Sequence, residues 1–398
     1  MTKSSAGGLP HPGVKPATRF VTGGSDPSSF HGFVNPPVVH ASTVLYRNVD
    51  DYLGRRGRYT YGRRGTPTSE AFTAALAEIE GPQCAGVTLL PSGLAAGSLA
   101  LQSALNSGDH VLVTDNVYGP TRKFCDTVLA RCGVTTTYFD PLIGDVATLM
   151  QPNTRAIYLE SPGSLTFEVQ DVPAMAAAAH ARGAVVLMDN TWASPLYFHA
   201  LDKGVDLAIQ SGSKYIGGHS DLMLGVVAAN AKCWPRLNET VFTMGLCVGP
   251  DDMYLGLRGL RTMAVRLAHH NQAGLKVARW FAERAEVARV LHPALGTCPG
   301  HAVWKRDFTG ASGLFSIVLK PVPETAVHAF IDALTLFGIG ASWGGFESLV
   351  IPFDCDNVRS ATTWSPGGPG VRFHIGLEDV DDLIADLERG FAALAAAR

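Results

Sequence analysis

None of the seven cysteines stands in a C-x-x-C spacing, and an odd number spread over 398 residues gives no disulfide framework. Cys84, Cys125, Cys132, Cys233, Cys247, Cys298 and Cys355 are expected to serve mostly as small core residues. The 13 histidines lack ligand spacing as well: His269 and His270 are adjacent and no H-E-x-x-H occurs, so no structural metal is expected. A basic excess is also missing. With 32 Lys and Arg against 35 Asp and Glu, the net charge of −3 supplies no positive field for nucleic acid or an anionic membrane surface. Apolar runs are short, Ala184–Met188 being among the clearest, whereas a membrane span needs about 20 residues. The opening MTKSSAGGLPHPG holds no apolar stretch of signal-peptide type. A soluble cytoplasmic protein is expected, with neither nucleic acid nor membrane as partner.

What is present suits a globular protein: 46% of residues are hydrophobic and 17% charged, and the length favours two or three domains. Residues 1–60, rich in Gly, Pro and Ser, read as an arm or lid with little core of its own. Next, helical patterns (Ser69–Ile79, Leu94–Leu105, Val172–Arg182) alternate with short apolar or β-rich runs (Gly86–Leu90, Val111–Thr114, Ala156–Leu159, Val185–Met188, Leu207–Ile209). That rhythm predicts βαβ units and a mostly parallel sheet over residues 61–256. From residue 257 the pattern changes to a long helix (Arg261–Arg284), a shorter α+β region, and a closing helix with Val380, Leu383, Ile384, Leu387, Phe391 and Leu394 on one face.

Ligands of open α/β sheets bind at the carboxyl ends of the strands. Three such ends carry unusual residues. Pro91–Gly97 opens a helix after an apolar run, which serves an anion or is an ordinary strand-to-helix turn. Asp189 follows Ala184–Met188; it either pairs with a cation such as a protonated ring nitrogen or caps the Asn190–Thr191 turn. Lys214 lies among Ser211, Gly212, Ser213, Gly217 and Gly218, small residues that leave room for a bulky adduct. A lysine that acts as a nucleophile must lose its proton, and moving its pKa from about 10.4 to about 7–8 costs the charged form about 4 kcal/mol. Taken together, an anion cradle, a carboxylate and a lysine on successive strand ends match the needs of pyridoxal phosphate.

Here the chain resembles the Cys/Met-metabolism family of pyridoxal-phosphate enzymes of fold type I, from about residue 15 onward. The matching stretches are YGRRGTPT from Tyr61, PSGLAA from Pro91, ESPGS from Glu160, MDNTWA from Met188, SKYIGGHSD from Ser213, LRGLRT from Leu257, SWGGFES from Ser342 and RFHIGLEDVDDLIADL from Arg372. The resemblance implies a large domain with a mostly parallel seven-stranded sheet and a smaller C-terminal α+β domain. It implies Lys214 as the covalent anchor and proton carrier, Asp189 on the pyridine nitrogen and Tyr118 stacked on the ring. It further implies Ser92, Gly93, Leu94, Ser211 and Ser213 around the phosphate, with Ser342, Trp343 and Arg372 toward the substrate, Arg372 holding its carboxylate. Tyr61 and Arg63 resemble a pair that reaches the phosphate of a neighbouring subunit, so the implied assembly is at least a dimer and commonly a tetramer.

Within that family the local stretches resemble the carbon–sulfur β-lyases. Ser161–Ser164 reads SPGS where γ-type enzymes carry SPTNP, Trp343 follows Ser342, and residue 341 is not Glu. The implied reaction is β-elimination from L-cystathionine, giving homocysteine, pyruvate and ammonia in methionine biosynthesis. Ala341 and Phe346 depart from the tyrosines of the β-lyase pattern, which leaves open a broader lyase of cysteine S-conjugates or a cysteine desulfhydrase. A cystathionine γ-lyase or γ-synthase, an aminotransferase, and a regulator that keeps the fold without catalysis are the other readings.

Overall fold

A computed structural model describes residues 13–356 and 358–398; the first twelve residues of the expected arm lie outside it. The large sheet contains β1 (Gly86–Leu90), β2 (His110–Thr114), β3 (Thr135–Phe139), β4 (Thr154–Glu160), β5 (Val185–Asp189), β6 (Leu207–Ser211) and β7 (Gly225–Ala229), in the order β1-β7-β6-β5-β4-β2-β3. Only β7 runs against its neighbours. Alternate residues of each central strand enter two different cores. Leu112, Ile157, Leu159, Val186, Met188 and Ala208 pack on one face. Val111, Val113, Ala156, Tyr158, Leu187, Leu207 and Ile209 pack on the other. Burial on both faces is why these strands read as unbroken apolar runs.

Two strands lacked that signal. The edge strand β3 is TTTYF, exposed or half-buried over most of its length. Strand β7 is built of Gly, Val and Ala because helix Gly93–Ala104 lies directly against it: a Cβ on Gly225 would fall 2.0 Å from Ser92 O.

The smaller sheet runs β10 (Gly338–Ile339), β11 (Leu349–Phe353), β12 (Gly370–His374), β9 (Leu314–Leu319), β8 (Val287–Leu291), and all its pairings but β10 with β11 are antiparallel. Phe315, Ile317, Val371 and Phe373 pack there with Phe330 from helix Glu324–Asp332 and Leu387 and Phe391 from helix Val380–Ala396.

One helix of 33 residues, Pro250–Ala282, joins the two sheets and is about 50 Å long. Its first half (Leu257, Leu260, Met263, Leu267) belongs to the large core, and Ala273, Val277 and Phe281 belong to the small one. It starts eleven residues before the helix expected at Arg261, and the division read at 256/257 falls inside it. Gly256 and Gly259 weaken the helical pattern there. Close packing explains them, since Cβ atoms at these positions would fall 2.7 Å from the Phe72 ring and 2.3 Å from Gly217 O.

A second tie holds the domains together near the carboxyl end of β2. Asp115 accepts from the backbone N–H groups of Ser360, Ala361 and Thr362, and Arg359 pairs with Glu168 at 3.1 Å. None of the described helices is long and apolar enough to cross a membrane.

Candidate active site

Lys214 lies just past β6, in a turn where its N–H donates to Ser211 O at 3.1 Å and its carbonyl accepts from Gly218 N at 2.8 Å. Its side chain reaches across the domain boundary. Nζ donates to Ser342 Oγ at 2.6 Å and sits 5.3 Å from the centre of the Trp343 ring. Burial and the nearby Arg372 charge lower its pKa to about 8, while Asp189 pulls the other way. About a tenth of such an amine is neutral at pH 7, against less than a thousandth of an ordinary lysine. The chain has thus built a lysine ready to act as nucleophile or base.

Asp189 ends β5, the middle strand of the seven, and faces the same cleft. Its Oδ1 accepts from the Thr191 N–H at 2.9 Å and the Thr191 hydroxyl at 2.5 Å. No described residue hydrogen-bonds to Oδ2. Burial raises this carboxyl, and the Thr191 bonds and Lys214 oppose that. Such a group gains most from a cationic N–H placed against its free oxygen. Directly beside it in register, at the end of β4, stands Glu160. Glu160 Oε2 accepts from the Tyr118 N–H at 2.7 Å, and burial together with Asp189 holds its carboxyl well above the usual range. Tyr118 is thereby fixed by its backbone with its ring about half exposed. Burial and the two carboxylates push its phenol up, while Arg372 lowers it.

The anion cradle is helix Gly93–Ala104. Ser92 caps it, its hydroxyl accepting from Ala95 N at 3.1 Å and its carbonyl from Ala96 N at 3.0 Å. The N–H groups of Gly93 and Leu94 remain for a ligand, at the positive end of the helix. Ser211 closes on the same point: a Cβ on Gly93 would lie 2.5 Å from Ser211 Oγ. The Ser213 hydroxyl accepts from Leu224 N at 2.8 Å and donates to Leu224 O at 3.3 Å, at the same end of the cleft.

Arg372 enters from β12. It is buried, and its Nη2 donates to the carbonyls of Ala341 and Ser342 at 3.0 and 3.1 Å. Burial lowers its pKa to about 10. No carboxylate among the described residues pairs with it, and a desolvated guanidinium of this kind invites a bidentate anion.

Ser92, Gly93, Leu94, Tyr118, Asp189, Ser211, Ser213, Lys214, Ser342, Trp343 and Arg372 therefore surround one cleft between the domains. Tyr61 and Arg63 do not join them within the chain. The Tyr61 hydroxyl meets Ser42 Oγ at 3.4 Å, and Arg63 donates to Phe242 O at 2.7 Å. The resemblance assigns Glu160 no role, although a carboxylate closing the buried run Ala156–Leu159 carries the same signal that singles out Asp189. Among the described residues no cluster of His, Cys, Asp and Glu could hold a metal ion.

Taken as a receptor, the cleft fits a flat aromatic aldehyde with a phosphate. It has N–H donors at one end, a free carboxylate oxygen for a ring nitrogen, a depressed amine for the aldehyde, and Tyr118 free to cover the ring.

Comparison with known proteins agrees. Residues 17–392 match the family described as Cys/Met metabolism PLP-dependent enzyme. Cystathionine beta-lyase MetC of Escherichia coli is 45% identical over 389 residues, covering 95% of this chain and 98% of that protein. Cystathionine beta-lyase of Haemophilus influenzae is 42% identical over 391 residues, covering 95% and 98%. Among solved structures, a cystathionine gamma synthase from Xanthomonas oryzae superposes with a TM-score of 0.88 at 32% identity, covering 97% of this chain and 100% of that one. The chain belongs to the Cys/Met metabolism family of PLP-dependent enzymes, with the fold type I architecture of that family.

Proposed function

We propose that this enzyme is a carbon–sulfur β-lyase that cleaves L-cystathionine to homocysteine, pyruvate and ammonia. The observation that carries the reading is Lys214: an amine with a pKa near 8, hydrogen-bonded to Ser342 and lying between the carboxylate Asp189 and the unpaired guanidinium Arg372. The relatives at 42% and 45% identity bear the β-lyase name, whereas the γ-synthase structure stands at 32%.

Pyridoxal phosphate, when bound, supplies the aldehyde that takes the substrate amine and a ring that withdraws electrons from Cα. The rest falls to the chain. Arg372 holds the substrate carboxylate and so orients Cα toward Lys214. Ser342 Oγ accepts one hydrogen of the Lys214 amine and leaves its lone pair for the Cα proton. Asp189 keeps the ring nitrogen protonated, and the Tyr118 ring covers the opposite side. With the Cα proton on Lys214, the Cβ–S bond breaks and homocysteine thiolate leaves. The remaining three-carbon fragment takes up water and departs as pyruvate and ammonia.

The Lys214 pKa gives a test of its own. Uptake of the cofactor needs the neutral amine, so the rate must rise with pH until Lys214 is deprotonated. For cofactor-free protein mixed with pyridoxal phosphate, the rate should rise about fivefold from pH 7 to 8 and level off above about 9. Stopped-flow absorbance reads it. A rate still climbing tenfold per pH unit at pH 10 contradicts a depressed lysine.

A homodimer is the smallest working unit in this reading, with Tyr61 and Arg63 serving the partner's phosphate. Exposed Phe33, Val34, Leu45, Tyr52 and Leu53, 63–89% accessible, support a second copy against the arm. All seven cysteines are free, which suits a reducing compartment, and the reading places the enzyme in the cytoplasm.

Product analysis decides the reaction type. Incubation with L-cystathionine should release pyruvate and homocysteine in equal amounts. 2-Oxobutyrate with cysteine would mean γ-elimination and would overturn the proposal while leaving the cofactor site standing.

A further inference from the structure

Arg372 and His374 lie two residues apart on β12 and therefore share one face of the strand. Arg372 donates to the carbonyls of Ala341 and Ser342, and His374 meets Gly344 and Gly345 farther along the same turn. Its Nε2 lies 3.1 Å from the Gly344 N–H and 3.2 Å from Gly345 O. This turn presses on the reacting lysine. A Cβ on Gly344, which has φ +87°, would fall 3.0 Å from Lys214 Cα, Cβ and C. Ser342 and Trp343, the side chains beside the Lys214 amine, belong to the same turn.

His374 is 1% exposed and His270, from the long helix, is 0% exposed. Their ring centres are 5.2 Å apart, and both contact Tyr215, the residue after Lys214. Burial holds both imidazoles low, His270 to about 4, and the charges of Arg372 and Lys214 add to the effect on His374. Each is neutral, with one N–H and one lone pair. His270 Nδ1 lies 2.8 Å from Ile375 O, so its proton is there and its lone pair is on Nε2. Only one of the two contacts at His374 Nε2 can be a hydrogen bond. Either tautomer ties the ring to the turn, by accepting from the Gly344 N–H or by donating to Gly345 O, while His374 Nδ1 and His270 Nε2 are both buried without a protein partner.

We infer that His374, through Nε2, is the positioning residue that fixes the Ser342–Gly345 turn on Lys214. The inference rests on the reading of Lys214 as the reacting amine. Were that reading wrong, Lys214→Ala would keep its activity; failure of the inference alone leaves Lys214→Ala inactive.

The test compares His374→Leu, which fills the space without an acceptor, with His374→Gln, whose Oε1 can accept from Gly344. Both variants are isolated as holoenzymes and assayed with L-cystathionine. H374L should keep the cofactor's absorption but lose kcat about a hundredfold, the scale of a misplaced catalytic group. H374Q should stay within about threefold of wild type, a loss below about 0.7 kcal/mol. Equal losses in both variants, or wild-type kcat in H374L, would overturn the inference. If H374L does not fold, His374→Met takes its place, with the same expected loss of kcat and the same overturning results.

Discussion

Replacing Lys214 with alanine should lower pyruvate release from L-cystathionine about ten-thousandfold or more. Two contributions vanish together: the covalent hold on the cofactor and the base at Cα, the latter alone worth about 10²–10⁴. The fold should survive. Lys214 is half-buried and its side chain makes one hydrogen bond, to Ser342, so its loss leaves no buried charge unpaired. Purified K214A should also lose the visible absorption of lysine-bound cofactor after gel filtration, while its far-ultraviolet circular dichroism remains that of wild type. Activity within tenfold of wild type would remove Lys214 from the chemistry.

The second large effect is at Arg372. Its guanidinium is buried, without a carboxylate partner, and braced by two backbone carbonyls. Two charge-assisted bonds to a substrate carboxylate, each worth about 1.5–3 kcal/mol, correspond to a loss in kcat/KM of about 10²–10³ or more. Arg372→Lys keeps the charge but cannot brace on both carbonyls and also grip a carboxylate in two places. Most of the loss should fall in KM, because the carboxylate is held in ground state and transition state alike. Cofactor content should not change. A kcat/KM within about threefold of wild type for R372K would show that the substrate carboxylate lies elsewhere.

The central strands were legible because a parallel strand covered on both faces must be apolar at every position, and the runs at Val111, Ala156, Val185 and Leu207 have that composition. Strand β3 was not, because an edge strand of threonines satisfies its backbone without showing a hydrophobic face. The start of the long helix was hidden by Gly256 and Gly259, whose missing side chains suit the contacts with Phe72 and the Lys214 turn rather than helix propensity. The site divides the same way. Asp189 and Lys214 stood out from the residues themselves, as polar groups at the ends of buried strands. Ser342 and Arg372 came only through the resemblance, since 128 residues separate Lys214 from the hydroxyl that it meets. His374 alternates along a strand like any core residue, and its meaning depends on a turn 30 residues away.

The central claim is that Lys214 holds the cofactor covalently in a cleft shaped by Asp189, Tyr118 and Arg372. Reduction of the holoenzyme with borohydride, followed by proteolysis and mass spectrometry of the peptides, tests it most directly. The account predicts a single pyridoxyl-phosphate adduct, on Lys214. An adduct on another lysine, or none from an active enzyme, would contradict it.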